Sequence, residues 1–471
     1  MGILRIGCMF VGFLSLVLSL SAQTLTRLHS FDYTDGGEPS AGLVQATNGD
    51  LYGTTMNGGA NSIGTVFKIT PGGKLTMLHS FDRTGGAEIY AGLVQATNGN
   101  LYGTAAYGGA NGNYGTVFEI SLGGELTTRH SFDGTDGENP LAGLVQAVNG
   151  NLYGTTALDG DGYGTIFKIT RSGTLTTVHY FDDANGAYPG AGLVQATNGE
   201  FYGTTVGGGA HNAGTVFKIA TSGTLTKLYD FCSQGDCIDG AYPSAVLIQA
   251  TDGNLYGTTY QGGVVNSDCG AGCGTVFKIT PSGRLKTIYT FCSLSNCTDG
   301  AWPYVQGVVQ ATDGNLYGTT YGGGNNGVGT VFRMSTSGTL KKLYDFCSQG
   351  GCTDGSYPEA APIQDTNGDF YGTAQGGGAY GYGTVFRLSV GLGPFVETNP
   401  TSGKVGADVK ILGTDLTGAT SVTFNGTAAV FKVVSSSLIT TTVPTDATTG
   451  TVEVTIPKGA LKSNVVFRVR E

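Results

Sequence analysis

Runs of four to eight residues rich in Val, Ile, Leu, Tyr, Phe and Thr alternate along most of the chain with breaks rich in Gly, Asn, Asp and Ser. This is the pattern of short β-strands joined by turns. The runs recur. LYGT or FYGT carries Tyr52, Tyr102, Tyr153, Tyr202, Tyr256, Tyr317 and Tyr371, and GTVF or GTIF carries Phe67, Phe118, Phe167, Phe217, Phe277, Phe332 and Phe386. A run of the type LHSFD or LYDFC carries Phe31, Phe81, Phe132, Phe181, Phe231, Phe291 and Phe346. A fourth, of the type GLVQA, carries Gln45, Gln95, Gln146, Gln195, Gln249, Gln310 and Gln364. Each occurs seven times at intervals of about 50 residues, the signature of a repeat architecture.

Asn-Gly or Asp-Gly separates GLVQA from LYGT in every copy, from Asn48-Gly49 to Asn367-Gly368, and predicts a hairpin with a type I′ turn. No sustained helical period appears after residue 23. Four short antiparallel strands per unit predict a propeller blade, and seven units a seven-bladed β-propeller over 24–390. The first LHSFD run, residues 24–32, precedes the first complete unit, while the last GTVF run has no such run after it. Residues 24–32 are therefore expected to complete the seventh blade and close the ring, which removes an exposed edge. An open solenoid would need atypical capping repeats instead.

The register ends at Gly391-Leu392-Gly393-Pro394. Alternation in Val409-Lys410-Ile411, Val422-Thr423-Phe424 and Val452–Ile456 predicts a small immunoglobulin-like β-sandwich over 391–471, so the fold class is all-β throughout. In motif and order, residues 24–390 resemble the GloVer tandem repeat of secreted choice-of-anchor proteins. NPTSGKVGADVKILGTDL, VTFNGTAA, VPTDATTGTVEVTI and FRV resemble an IPT/TIG domain. The first resemblance implies an exported repeat protein, the second a spacer or binding accessory. The sequence reaches Glu471 without an apolar tail, so surface anchoring is not expected.

Compartment follows from the ends and the cysteines. Residues 1–23 carry Arg5, an apolar run from Cys8 to Leu20, and then Ser21 and Ala22, which reads as a cleaved secretory signal. The run is shorter than the roughly 20 residues of a membrane span. The remaining eight cysteines form close pairs: Cys232/Cys237, Cys269/Cys273, Cys292/Cys297 and Cys347/Cys352. In an exported chain these read as local disulfides, each stabilising by about 2 kcal/mol. Zinc is the weaker reading, since no His stands near the pairs. Neither metal nor cofactor is expected. Gly accounts for 82 of 471 residues and charged residues for 12 %, and the net charge is −10. That acidic balance excludes nucleic acid and anionic membrane surfaces as partners.

Candidate chemistry is sparse. His29, His79, His130 and His179 share one repeat position and read as structural, with His211 in a loop. The Gly runs lack the Lys-Ser/Thr of a phosphate loop. The Asp-Gly pairs, such as Asp136-Gly137, suit turns better than calcium sites. The seven Gln residues are expected at the central channel, their amides satisfying backbone groups between blades. Tyr188, Tyr242, Trp302 and Tyr357 stand before Pro in equivalent loops on the face that also carries all eight cysteines, and are the candidate ligand-binding row. Two functions follow. The first is a secreted binding or structural protein that contacts an extracellular glycan or protein through this face. The second is a propeller lyase or hydrolase acting on extracellular polysaccharide. The enzyme needs repeat-breaking polar residues converging in the channel, and the sequence shows no evident catalytic set; binding is therefore the favoured expectation.

Overall fold

The computed structural model describes residues 23–304 and 307–470. The expected leader, all but its last residue, lies outside the described residues. Blade one shows why each run becomes a strand. Val44–Gln45, Leu51–Thr55, Thr65–Ile69 and Leu75–Ser80 pair antiparallel in sequence order, from the channel outward. The second strand is buried at every position, because both of its faces pack against neighbouring blades. Gly53 stands opposite Phe67 in that pairing. A Cβ there would lie 2.6 Å from Phe67 Cζ and 2.7 Å from Leu43 Cδ2, so only Gly lets the ring lie across the strand. Six further sheets repeat the arrangement.

The ring closes as the split repeat predicts. Thr24–Ser30 pairs antiparallel with Thr384–Ser389, supplying the outer strand of blade seven. Phe31 then meets Phe67 of blade one edge-to-face at 5.2 Å. The same contact joins Phe81 to Phe118, Phe132 to Phe167, and so on to Phe346 and Phe386, so aromatic edges join every neighbouring pair of blades. Each such pair contributes about 0.5–1.5 kcal/mol beyond the area it buries.

The turns differ from the expected type I′. Gly49 has φ +86°, but Asn48 does not share the positive φ that a type I′ turn requires. The Gly49 N–H donates to the Ala46 carbonyl and the Ala46 N–H to Asp50, which closes a three-residue loop with a left-handed third position. The Asn side chain is then free for another task. Asn48 Nδ2 donates to the buried Tyr52 hydroxyl at 2.9 Å, and Asn98, Asn198 and Asn367 do the same for their tyrosines. The pair marks the hairpin correctly; its side chain, not a second positive φ, accounts for the Asn.

Residues 395–470 form a β-sandwich. One sheet orders Glu397–Asn399, Asp408–Leu412, Leu438–Thr442 and Phe431–Val433; the other orders Thr427–Ala428, Ser421–Phe424, Val452–Ile456 and Gly459–Lys462. Val409, Ile411, Val422, Phe424, Val452, Val454 and Ile456 form its core, on the alternation read from the sequence.

Candidate binding mouth and the capped channel

At the turn side of the channel the seven glutamines form a closed ring of clasps. Each Oε1 accepts a backbone N–H from the preceding blade at 2.8–3.1 Å, from Thr47 N–H to Gln95 around to Thr366 N–H to Gln45. Most of the amide nitrogens donate to the Gly carbonyl of their own turn, as Gln95 does to Gly99 at 2.8 Å. These amides are spent on the backbone.

The sandwich sits over this same end of the channel. Lys410 Nζ donates to the Thr97 carbonyl at 3.0 Å, Ser437 Oγ to the Thr47 carbonyl at 3.2 Å and Arg468 Nη1 to the Thr197 carbonyl at 2.6 Å. Thr366 and Thr414 pair through their hydroxyls at 3.0 Å. A cavity of about 1090 Å³ remains between them, lined by Gln45, Gln95, Gln146, Gln195 and Gln249 and by Glu397 and Arg468 of the sandwich. Asp365 stands where the other blades carry Ala, and its Oδ2 is buried without a hydrogen-bond partner. Burial pushes the Asp365 carboxyl up to about 6, with the nearby Asp369 charge adding to it. Burial likewise pushes Glu397 up to about 7, helped by the Asp365 charge and opposed by the Asn464 hydrogen bond.

The opposite mouth carries the loops that enter each blade. The residue before Pro, or before its counterpart, is left-handed in all seven copies: Glu38, Glu88, Asn139, Tyr188, Tyr242, Trp302 and Tyr357 have φ between 53° and 58°. A non-Gly residue holds that conformation only where its surroundings fix it. Here the N–H donates to the previous blade, as Tyr188 does to the Tyr163 carbonyl at 3.0 Å and Glu38 to the Tyr382 carbonyl at 2.9 Å. The carbonyl accepts from its own blade, as Tyr188 does from Val206 at 3.0 Å. The candidate row is thus first a set of backbone clasps. Its rings lie over their own blades: a Cβ on Gly207 would approach Tyr188 within 3.1 Å, and one on Gly322 would approach Trp302 within 2.6 Å. Tyr188 is still 46 % exposed and Tyr242 38 %, so both keep a free face.

Two positions beyond lies the feature that sequence reasoning missed. Ser40, Tyr90, Leu141, Gly190, Ser244, Tyr304 and Glu359 occupy one equivalent position, and its identity changes from blade to blade. Glu359 of blade seven interacts electrostatically with Glu38 of blade one, Tyr90 of blade two and Tyr304 of blade six. A single carboxylate reaches three such blades only near the axis. Aromatic rings continue the arc: Tyr260–Tyr304 at 5.3 Å, Tyr304–Tyr321 at 6.1 Å and Tyr321–Tyr357 at 5.0 Å. Tyr357 joins the predicted row to this arc. On the far side, the Tyr90 hydroxyl donates to Glu88 at 3.2 Å, and burial pushes Tyr90 up to about 12. Burial raises Glu359 to about 7; Ser40 opposes the shift and the Glu38 charge adds to it. Lining up the seven copies on the position after Pro would have exposed this residue set.

His29 and His130 pair with Asp35 and Asp136 at 2.7 and 2.6 Å, and Tyr229, Tyr289 and Tyr344 hydrogen-bond the matching Asp239, Asp299 and Asp354. The Asp of each Asp-Gly turn therefore ties its loop to the outer strand. Cys232–Cys237, Cys269–Cys273, Cys292–Cys297 and Cys347–Cys352 are disulfides, all on this face.

Among curated proteins there is no significant sequence match. Among solved structures, the extracellular domain assigned to a hybrid two-component system of B. thetaiotaomicron superposes with a TM-score of 0.51 at 12 % identity over 96 % of this chain, which spans 60 % of that one. A fungal alcohol oxidase of the AA5 family, in complex with copper, gives 0.51 at 11 % identity over 95 % of this chain and 99 % of its own. At such identities the likeness concerns the fold alone. Two family profiles also match: the Gloeobacter/Verrucomicrobia repeat over residues 15–198, 160–386 and 267–427, and the IPT/TIG domain over 395–469.

Proposed function

The chain belongs to the Gloeobacter/Verrucomicrobia repeat family and ends in an IPT/TIG domain, and from that premise we propose an exported binding protein that takes an extracellular glycan at the mouth opposite the sandwich. One observation carries the reading: at a position whose identity changes from blade to blade, Glu359 interacts electrostatically with Tyr90 and Tyr304 of two other blades. A rigid scaffold whose mouth residues change from copy to copy has the layout of a ligand site. Tyr rings stack on the apolar faces of sugars while their hydroxyls stay wet. The clasped loops and disulfides lower the ordering cost of binding. Among the described residues no helix is long and apolar enough to cross a membrane.

The enzyme reading draws on the same convergence. Glu359, pushed up to about 7 mainly by burial, is the kind of carboxyl that can serve as a general acid. Incubation with immobilised extracellular polysaccharides separates the two readings. Binding predicts retention of the protein with no soluble fragments, and loss of retention in Tyr304→Ala/Tyr321→Ala at unchanged melting. Fragments released by the wild type and abolished by Glu359→Gln would replace binding with catalysis. Absence of retention on every polysaccharide would overturn the glycan assignment.

A further inference from the structure

The connection between the second and third strands is longer in blade five than in its neighbours. Its flanking threonines, Thr259 and Thr275, are 16 residues apart, against 10 for Thr205–Thr215 and Thr320–Thr330. The extra chain carries Cys269 and Cys273. It folds back onto the loop entering blade six, which carries Cys292 and Cys297 at the position that Cys232/Cys237 and Cys347/Cys352 occupy in the loops before and after it. The four sulfurs consequently converge: all lie within 4.8 Å of one another, and all four residues are buried. Cys273 Sγ and Cys297 Sγ, which belong to different disulfides, are 3.9 Å apart. In a tetrahedral zinc site with Zn–S near 2.3 Å the sulfurs stand about 3.8 Å apart. Asn266 Nδ2 also donates to Cys292 Sγ at 3.4 Å, the outer hydrogen bond that a metal-bound thiolate takes.

We propose that this junction is a redox-gated metal site: with both disulfides reduced, Cys269, Cys273, Cys292 and Cys297 bind one zinc ion through four thiolates. A dithiol reductant supplies two electrons and two protons to each S–S bond, giving four thiols. Zinc then takes the four sulfurs and releases their protons to solvent, so binding strengthens as pH rises. Oxidised, the junction is held by two short loops; reduced and loaded, it is held by one ion bridging both connections. The disulfides of the neighbouring loops, Cys232–Cys237 and Cys347–Cys352, have no second pair beside them among the described residues and serve as internal controls.

The test uses the full chain, reduced anaerobically, loaded with zinc or cobalt and freed of unbound metal by gel filtration. One metal ion per chain is expected, with the intense thiolate-to-cobalt charge-transfer bands of four sulfur ligands. Cys232→Ser/Cys237→Ser should keep the ion and Cys269→Ser/Cys273→Ser should lose it, while Asn266→Ala should weaken binding ~10–100-fold. The oxidised protein should bind none. Retention by the reduced wild type no greater than by Cys269→Ser/Cys273→Ser overturns the proposal. Should that variant fail to fold, a cobalt spectrum of the wild type with fewer than four thiolates overturns it equally.

Discussion

Phe31 is the sharpest probe of ring closure, because it belongs to the N-terminal strand yet packs at the seam between blades seven and one. Its side chain is fully buried, 5.1 Å from the His29 ring and 5.2 Å from Phe67. Phe31→Ala removes that ring from a site walled by strands of both blades, and a buried Phe→Ala change costs about 3–5 kcal/mol. Phe181 holds the equivalent place between blades three and four, 3 % exposed and 5.3 Å from Phe217, so Phe181→Ala calibrates the cost away from the seam. The single tryptophan, Trp302, lies in the loop entering blade six, at neither of these seams, and reports unfolding there. In equilibrium denaturant unfolding followed by Trp302 fluorescence, a closed ring predicts similar downward shifts for the two variants. A terminal strand that merely lies against the molecule would fray locally instead. The reasoning fails if Phe181→Ala moves the Trp302 transition and Phe31→Ala leaves it within about 0.5 kcal/mol of wild type.

Gln146→Ala, which strips the Thr97 N–H of its acceptor, should cost about 1–3 kcal/mol in thermal unfolding, where an exposed Gln→Ala change is neutral. Asp365 and Glu397 have raised folded values of about 6 and about 7, so the folded form binds more protons than the unfolded chain. Their stabilising contribution is complete below about 4 and is lost as pH rises through 6 and 7. Glu397→Gln should therefore stabilise the protein at pH 8 and make no difference at pH 4, as read from paired melting curves. Burial lowers His79 and His179, which predicts the opposite trend for them: stability falls as pH drops below 6.5, and His179→Gln should blunt that fall. Peptide mapping without reduction should recover the four local disulfides; free thiols in the oxidised protein would contradict the assignment.

The repeats were legible because each run does one job seven times. LYGT needs its Gly for the opposing Phe, and the Tyr hydroxyl needs the turn Asn or Asp, so periodic strings return periodic contacts. The Gln ring was legible for the same reason. The turn type was not, because Asn-Gly suits both a type I′ turn and a three-residue loop, and the hydrogen bond to a buried Tyr decides between them. The docking of the sandwich was hidden for a different reason. It rests on single contacts such as Lys410 to Thr97 and Arg468 to Thr197, between residues far apart in the chain with no motif to link them. The mouth is hidden from the repeat pattern because its residues do not repeat. Tyr304 and Glu359 are informative because they do not, while Tyr188 and Tyr242 repeat a backbone clasp.

A ligand held at the mouth of the channel and one held on the outward rings of the same face are separated directly by a glycan array. Wild type, Tyr304→Ala/Tyr321→Ala and Tyr188→Ala/Tyr242→Ala should be compared on one array, each shown by circular dichroism to be folded. Binding at the mouth predicts that the wild type and the Tyr188/Tyr242 variant share a binding pattern that the Tyr304/Tyr321 variant lacks. Binding that survives in the Tyr304/Tyr321 variant and disappears in the Tyr188/Tyr242 variant would contradict it.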